Sequence, residues 1–212
     1  MKLIVFDIDG TLTQTNEVDS HCFEEALRVV LGVEEFDTCW ENYQFVTDSG
    51  VAQEVSQRYR DRPINGAEMT ALHEKIVELL KKNPVSAFAE IPGAVDFFQS
   101  LVDSEDFAVA LATGANELSA RYKLETAGID FEGIPLATSS DAVVREHIML
   151  HAMDRASQKH ERVFSEIVYF GDAVWDVNAT ANLGWQFIGI GGKVPDGFTD
   201  YRNSEEILNR LR

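Results

Sequence analysis

The sequence predicts an α/β fold, a doubly wound parallel sheet carrying an inserted helical domain. Three observations predict it. A short apolar run, Leu3-Ile4-Val5-Phe6, stops abruptly at Asp7-Ile8-Asp9-Gly10-Thr11-Leu12, as a fully buried strand does at a turn. Beyond residue 91, short apolar runs alternate with helical periodicities, the pattern of βαβ units. Between residues 18 and 90 no good period-2 strand pattern occurs, so that block reads as a helical insertion.

The elements follow in order. Residues 1–6 form the first strand and residues 7–14 an acidic loop hinged at Gly10. Val18, Cys22, Phe23, Ala26, Leu27 and Val30 set a helix, with Asp19 or Ser20 as its cap and Gly32 as its end. Residues 33–62 are mixed, with Trp40, Tyr43, Phe45 and Val46 expected inside. Thr47-Asp48-Ser49-Gly50 is a turn and capping signal for a helix to about Arg60. It is polar enough to close over the core, or to serve as a plain helix connection. Met69, Leu72, Ile76, Leu79 and Leu80 give another helix, ended by Asn83-Pro84. A helix over 93–102 leads to a second strand, 107–112, which stops at Thr113-Gly114. A helix over 116–127 ends at Gly128, and Ile134 to Ala137 is the third strand. Residues 142–158 are helical, and a fourth strand at 167–170 ends in Gly171-Asp172. A helix over 174–182, a fifth strand over 185–190 and a helix from Ser204 complete the chain. The core is therefore expected in 1–14 plus 91–212, and the helical insertion in 15–90.

Composition narrows the function. The 212 residues are 45% hydrophobic and 25% charged, as in a packed, soluble protein, and the formal net charge is −18. That charge argues against nucleic acid and against an anionic membrane surface as partners. No segment approaches a membrane span, and the first apolar run is too short for a signal peptide. The two cysteines, Cys22 and Cys39, read as free thiols in a reducing cytoplasm.

In a parallel sheet every carboxyl strand end lies on one edge, where ligands bind. Three strands here end in polar groups: Asp7 and Asp9, then Thr113-Gly114, then Asp172 with Asp176 four residues on. Asp7 and Asp9 point the same way, and like charges so close call for a cation or a shared proton. Arg145, opening a helix after the third strand, is the best-placed cation. A calcium loop is a poorer reading, because Thr11-Leu12-Thr13 follow and Glu17 is out of register. His147 and His151, four apart, lack the Glu of a zinc helix, and Gly189-Ile190-Gly191-Gly192-Lys193 lacks phosphate-loop spacing and reads as a turn.

The motif Asp7-Ile8-Asp9-Gly10-Thr11, with the later strand ends, resembles the signature set of the haloacid-dehalogenase-like (HAD) hydrolases of the phosphatase type with a helical cap, and is similar to phosphoglycolate-phosphatase-like members. The resemblance implies a Rossmann-like core and a set of roles. Asp7 is the nucleophile that becomes an aspartyl-phosphate, and Asp9 the general acid and then base. Thr113, the Gly114 backbone and Arg145 bind the phosphoryl group, with Arg145 where the family usually has Lys. Mg²⁺ is held by Asp7, Asp9 through its backbone carbonyl, Asp172, and Asp176 through water. The implied reaction is Mg²⁺-dependent hydrolysis of a small phosphorylated metabolite. A sugar phosphomutase would use the same core with a second phosphate site, for which the insertion offers Arg58, Arg60 and Arg62. A phospho-accepting module without turnover is a third reading. The oligomeric state is not legible.

Overall fold

The computed structural model describes residues 1–211. Five strands form one parallel sheet: β1 (Lys2–Phe6), β2 (Phe107–Ala112), β3 (Leu136–Ala137), β4 (Ile167–Gly171) and β5 (Gln186–Gly189). Their order is β3-β2-β1-β4-β5, with Ile4 in register with Val109 on one side and Val168 on the other. β1 is thus the central strand, and the chain winds outward from it in both directions. The crevice of such a sheet opens beyond the carboxyl ends of the strands flanking that reversal.

Alternation along β1 divides the core. Ile4 and Phe6 face one layer, with α4 (Ala94–Val102), α8 (Ser204–Leu211) and Ala120 and Leu124 of α5 (Glu117–Ala127). Leu3 and Val5 face the other, with α6 (Arg145–Lys159) and α7 (Val174–Leu183). The first layer is aromatic: the Phe6 ring stacks on Phe170 at 4.7 Å between centroids and meets Phe98 at 5.6 Å. Between β1 and α4 lie α1 (Asn16–Leu31), α2 (Asp48–Arg60) and α3 (Gly66–Leu80), with one short 3₁₀ turn between α1 and α2 and another after α3. They bury their own cluster, in which Phe23, Leu27, Val55, Leu72 and Ile76 meet Phe88. No helix among the described residues is long and apolar enough to cross a membrane. Cys22 is buried, Cys39 is exposed, and both thiols are free.

Several expectations shift. The cap of α1 is Thr15 rather than Asp19 or Ser20, and its hydroxyl makes no capping bond because it donates to Asp9. Only Tyr43 of the four residues expected inside the 33–62 block is buried; Trp40, Phe45 and Val46 are half-buried. β3 is two residues long. The Pro135 carbonyl still accepts from the Leu111 amide at 2.8 Å, but proline has no N–H to extend the ladder. α6 begins at Arg145, not 142, because the Val143 carbonyl accepts the Thr47 hydroxyl at 2.8 Å and Val144 stays extended. Arg145 therefore stands in the first turn.

Phe6→Ala, which removes the ring at the centre of the aromatic layer, is expected to cost about 3–5 kcal/mol. Urea unfolding would show it as a lower midpoint at unchanged slope.

Candidate active site

β1 delivers Asp7 to the carboxyl edge, and the chain turns at once. Gly10 permits the turn because its φ is +76° and a Cβ there would fall on Asp172 and Asn16. Asp172 follows β4, Thr113 follows β2, and Asp176 enters α7, so sheet topology gathers groups up to 169 positions apart in sequence. Carboxylate oxygens of Asp7, Asp172 and Asp176 lie within 4.8 Å of one another, all buried. The Asp9 side chain lies outside that group.

Three cations hold these acids together. Arg145 Nη1 lies 3.0 Å from Asp176 and 3.8 Å from Asp7, while Nη2 donates to the Val46 carbonyl at 3.0 Å. Gly114 makes room for that guanidinium, since a Cβ there would stand 2.6 Å from Nη2. Arg145 Nε–H is buried without a protein partner. Lys193 Nζ reaches Asp172 at 2.6 Å, and Asn16 Nδ2 donates to the same oxygen at 2.9 Å. Lys123, wholly buried, donates to Asp9 and to Asp19 of α1, each at 2.6 Å. The other Asp9 oxygen accepts the Thr15 hydroxyl.

The charge balance is uneven. Burial, then Asp176, holds the Asp7 carboxyl well above its ordinary range; Arg145 opposes them, and Asp172 and Asp9 add to the rise. Burial raises Asp176 too, against Arg145. Burial pushes Asp19 up to about 7, opposed by Lys123 and reinforced by Asp9 and Asp48. Burial works against charge on Lys123, but Asp19, Asp9 and Asp48 outweigh it and raise the ammonium. A divalent cation suits the trio: three buried carboxylates share one spot, and burial and their mutual repulsion hold the Asp7 carboxyl up despite the Arg145 guanidinium beside it.

The N-terminus of α2 closes the top of the site. The Asp48 amide donates to the Gly114 carbonyl at 2.8 Å, and the Asp48 carboxylate accepts from the Asn116 amide and side chain. Ser49 donates to the Ser139 carbonyl at 2.7 Å. Of the two readings of Thr47–Gly50, the structure has the polar turn tied to the core.

The structure therefore brings Asp7, Asp9, Thr113, Gly114, Arg145 and Asp172 around one cavity of about 300 Å³, with Asp176 just behind. Thr113 is buried, and its hydroxyl accepts the Ala115 amide at 3.2 Å. His147 and His151 are exposed and belong to no acidic cluster. Sequence reasoning missed Lys123, Asp19, Asn16 and Lys193. Lys123 had a signal, because it falls inside the buried stripe set by Ser119, Ala120 and Leu124. Lys193 had one as well: its glycine turn follows β5 and so lies on the edge that carries the other groups.

A family model described as haloacid dehalogenase-like hydrolase matches residues 1–184. The chain belongs to the haloacid dehalogenase-like hydrolases. Among solved structures it is similar to a hydrolase from Pseudomonas syringae (20% identity, TM-score 0.71, covering 98% of this chain and 99% of that one). A putative beta-phosphoglucomutase from Bacteroides vulgatus superimposes with TM-score 0.68 at 18% identity, over 99% and 89% of the two chains. A predicted phosphoglycolate phosphatase from Haemophilus somnus 129PT does so at 0.64 and 16%, over 98% of each. At these identities the likeness is one of fold. No curated protein matches.

Lys123→Met would leave Asp9 and Asp19 unpaired, with an expected loss of about 3–5 kcal/mol in urea unfolding. Asp19 also predicts a pH dependence. Its folded pKa, about 7, lies above its unfolded value, so its contribution is present at low pH and lost as pH rises to 7. Asp19→Asn removes that slope, and the unfolding free energy of wild type minus variant is expected to fall from pH 4 to pH 8.

Proposed function

We propose that the protein is a phosphatase that hydrolyses a small phosphate monoester through a phosphorylated Asp7. One observation carries this reading: a carboxylate at the end of the central strand shares a cavity with a second carboxylate, a Thr-Gly strand end, a guanidinium and a further acid. In this reading residues 15–90 act as a cap over a core of 1–14 and 91–212, and the bonds of Thr47, Asp48 and Ser49 to the core support it.

Asp7 attacks phosphorus, its oxygen forms the new P–O bond, and the bond to the alcohol oxygen breaks. Asp9 gives that oxygen a proton. In the second step Asp9 takes a proton from water, the water oxygen bonds to phosphorus, and the Asp7–phosphorus bond breaks. Lys123 and Thr15 fix the Asp9 carboxylate for both transfers. Arg145 and Thr113 orient the phosphoryl oxygens, and the unpartnered Arg145 Nε–H supports this role. Mg²⁺ would be held by Asp7, Asp172 and the Asp9 carbonyl, with Asp176 behind, and would supply positive charge against the phosphate. The bonds of the α2 N-terminus to the core support exclusion of water from the phosphorylated state.

The phosphomutase alternative draws less support. Arg60 and Arg62 pair with Glu68, Arg58 pairs with Glu54, and none of the three lines the cavity.

Phosphate release from a panel of metabolite monoesters, with Mg²⁺ and with chelator, tests the reading. Release is expected only with metal, and Asp7→Asn is expected to lower kcat at least ~1,000-fold. Arg145→Lys keeps the charge but loses the fork, with an expected loss of roughly 10–100-fold in kcat/KM. Unchanged turnover by Asp7→Asn would overturn the proposal.

A further inference from the structure

We infer that the leaving alcohol is one that carries an apolar face and no second acidic group. The inference rests on the phosphatase reading and concerns the half of the cavity that faces the helical insertion. That wall is built by Asp19, Ser20 and Phe23 of α1, by Trp40 from the connecting segment, and by Asp48 and Val51 of α2. Its apolar part is continuous: Phe23 and Trp40 meet at 5.6 Å between ring centroids, and Val51 is buried beside them. The indole N–H is committed to the Ser20 hydroxyl at 2.6 Å, so Trp40 has no polar hydrogen to offer a ligand.

The charge on this wall is all of one sign. Asp19 and Asp48 line it, and among the described residues no Lys or Arg of residues 15–90 does. Arg58, Arg60 and Arg62 are bound to glutamates elsewhere. Lys123 lies behind the wall, wholly buried, with its bonds directed to Asp9 and Asp19. The cations that do line the cavity, Arg145 and Lys193, belong to the other half and face Asp7, Asp176 and Asp172. A carboxylate or a second phosphate on the alcohol would enter a partly dry space, find no free cation on the wall and meet two acidic side chains whose donors, Lys123 and Asn116, are already committed to them. An apolar or ring face would meet the phenyl, indole and isopropyl groups. The wall thus selects by exclusion as well as by contact.

Two matched pairs of esters test it with the Mg²⁺-loaded protein: phenyl phosphate against 4-carboxyphenyl phosphate, and 2-hydroxyethyl phosphate against 2-phosphoglycolate. The expected result is a preference of about 100-fold in kcat/KM for the uncharged member of each pair, the scale of desolvating an anion that gains no partner. Trp40→Ala, at a half-buried position, is expected to raise KM for phenyl phosphate about 10-fold and leave that for 2-hydroxyethyl phosphate within 2-fold. Val51→Lys, which puts an ammonium on the wall, is expected to narrow or invert the preference within each pair. Acidic members turned over as well as their partners would overturn the inference and leave the phosphatase reading standing. Equal KM effects of Trp40→Ala on both uncharged esters would overturn the apolar-face part. No release from any ester would bring down both readings together.

Discussion

Six carboxylates converge on the carboxyl edge of the sheet, and the molecule is arranged so that they tolerate one another. Asp7, Asp172 and Asp176 form one group and Asp9, Asp19 and Asp48 another. Two of three cations bridge acids, Arg145 between Asp176 and Asp7 and Lys123 between Asp9 and Asp19, and the third, Lys193, sits on Asp172. Burial strengthens both attraction and repulsion, so removing Arg145 or Lys123 would leave buried acids without their cation. Burial is the main cause that raises the carboxyls of Asp7, Asp19, Asp48 and Asp176, and neighbouring acids add to it at Asp7, Asp19 and Asp176. A core dedicated to stability alone has no reason to carry such a group, whereas a site that acts on a phosphate ester does.

Much of this was legible in the sequence. The strands show as short apolar runs, and the parallel order puts their ends on one edge, so Asp7, Asp9, Thr113, Gly114 and Asp172 could be grouped before any coordinates. Arg145 was reachable because it follows the third strand end, and it does stand beside Asp7. What stayed hidden depends on tertiary contact. Thr15 caps α1 only through its backbone because Asp9 claims its hydroxyl. α6 starts three residues late because Thr47, 96 positions away, holds the Val143 carbonyl. Neither is a local property. Lys123 and Lys193 were overlooked for a different reason: a lone Lys on a helix and a glycine turn both have ordinary explanations, and only spatial neighbours distinguish them.

The first helix of the insertion is also part of the site. It starts two residues after Gln14, and its first two turns send Asn16 to Asp172, Asp19 to Lys123 and Ser20 to the Trp40 indole. The later turns of the same helix, with Cys22, Ala26 and Leu27, pack into the cluster of α2 and α3. One helix therefore reads both halves: its later turns join the helical cluster while its first turns complete the acid network at the sheet edge.

The seam between the two halves has a further consequence, for modularity. Thr47, Asp48 and Ser49 reach across to Val143, Asn116, Gly114 and Ser139, and Val46 offers its carbonyl to Arg145. Each of these groups finds its partner across the seam, and Asp48 takes two donors from Asn116. An insertion borrowed from another member of the family would arrive with its own seam and leave the polar groups of this core facing strangers. A change in residues 46–49 therefore has to be matched in the loop after β2 and in the turn before α6, which hold their partners. The unit that must vary together is larger than the helical segment, and it includes part of the carboxyl edge of the sheet.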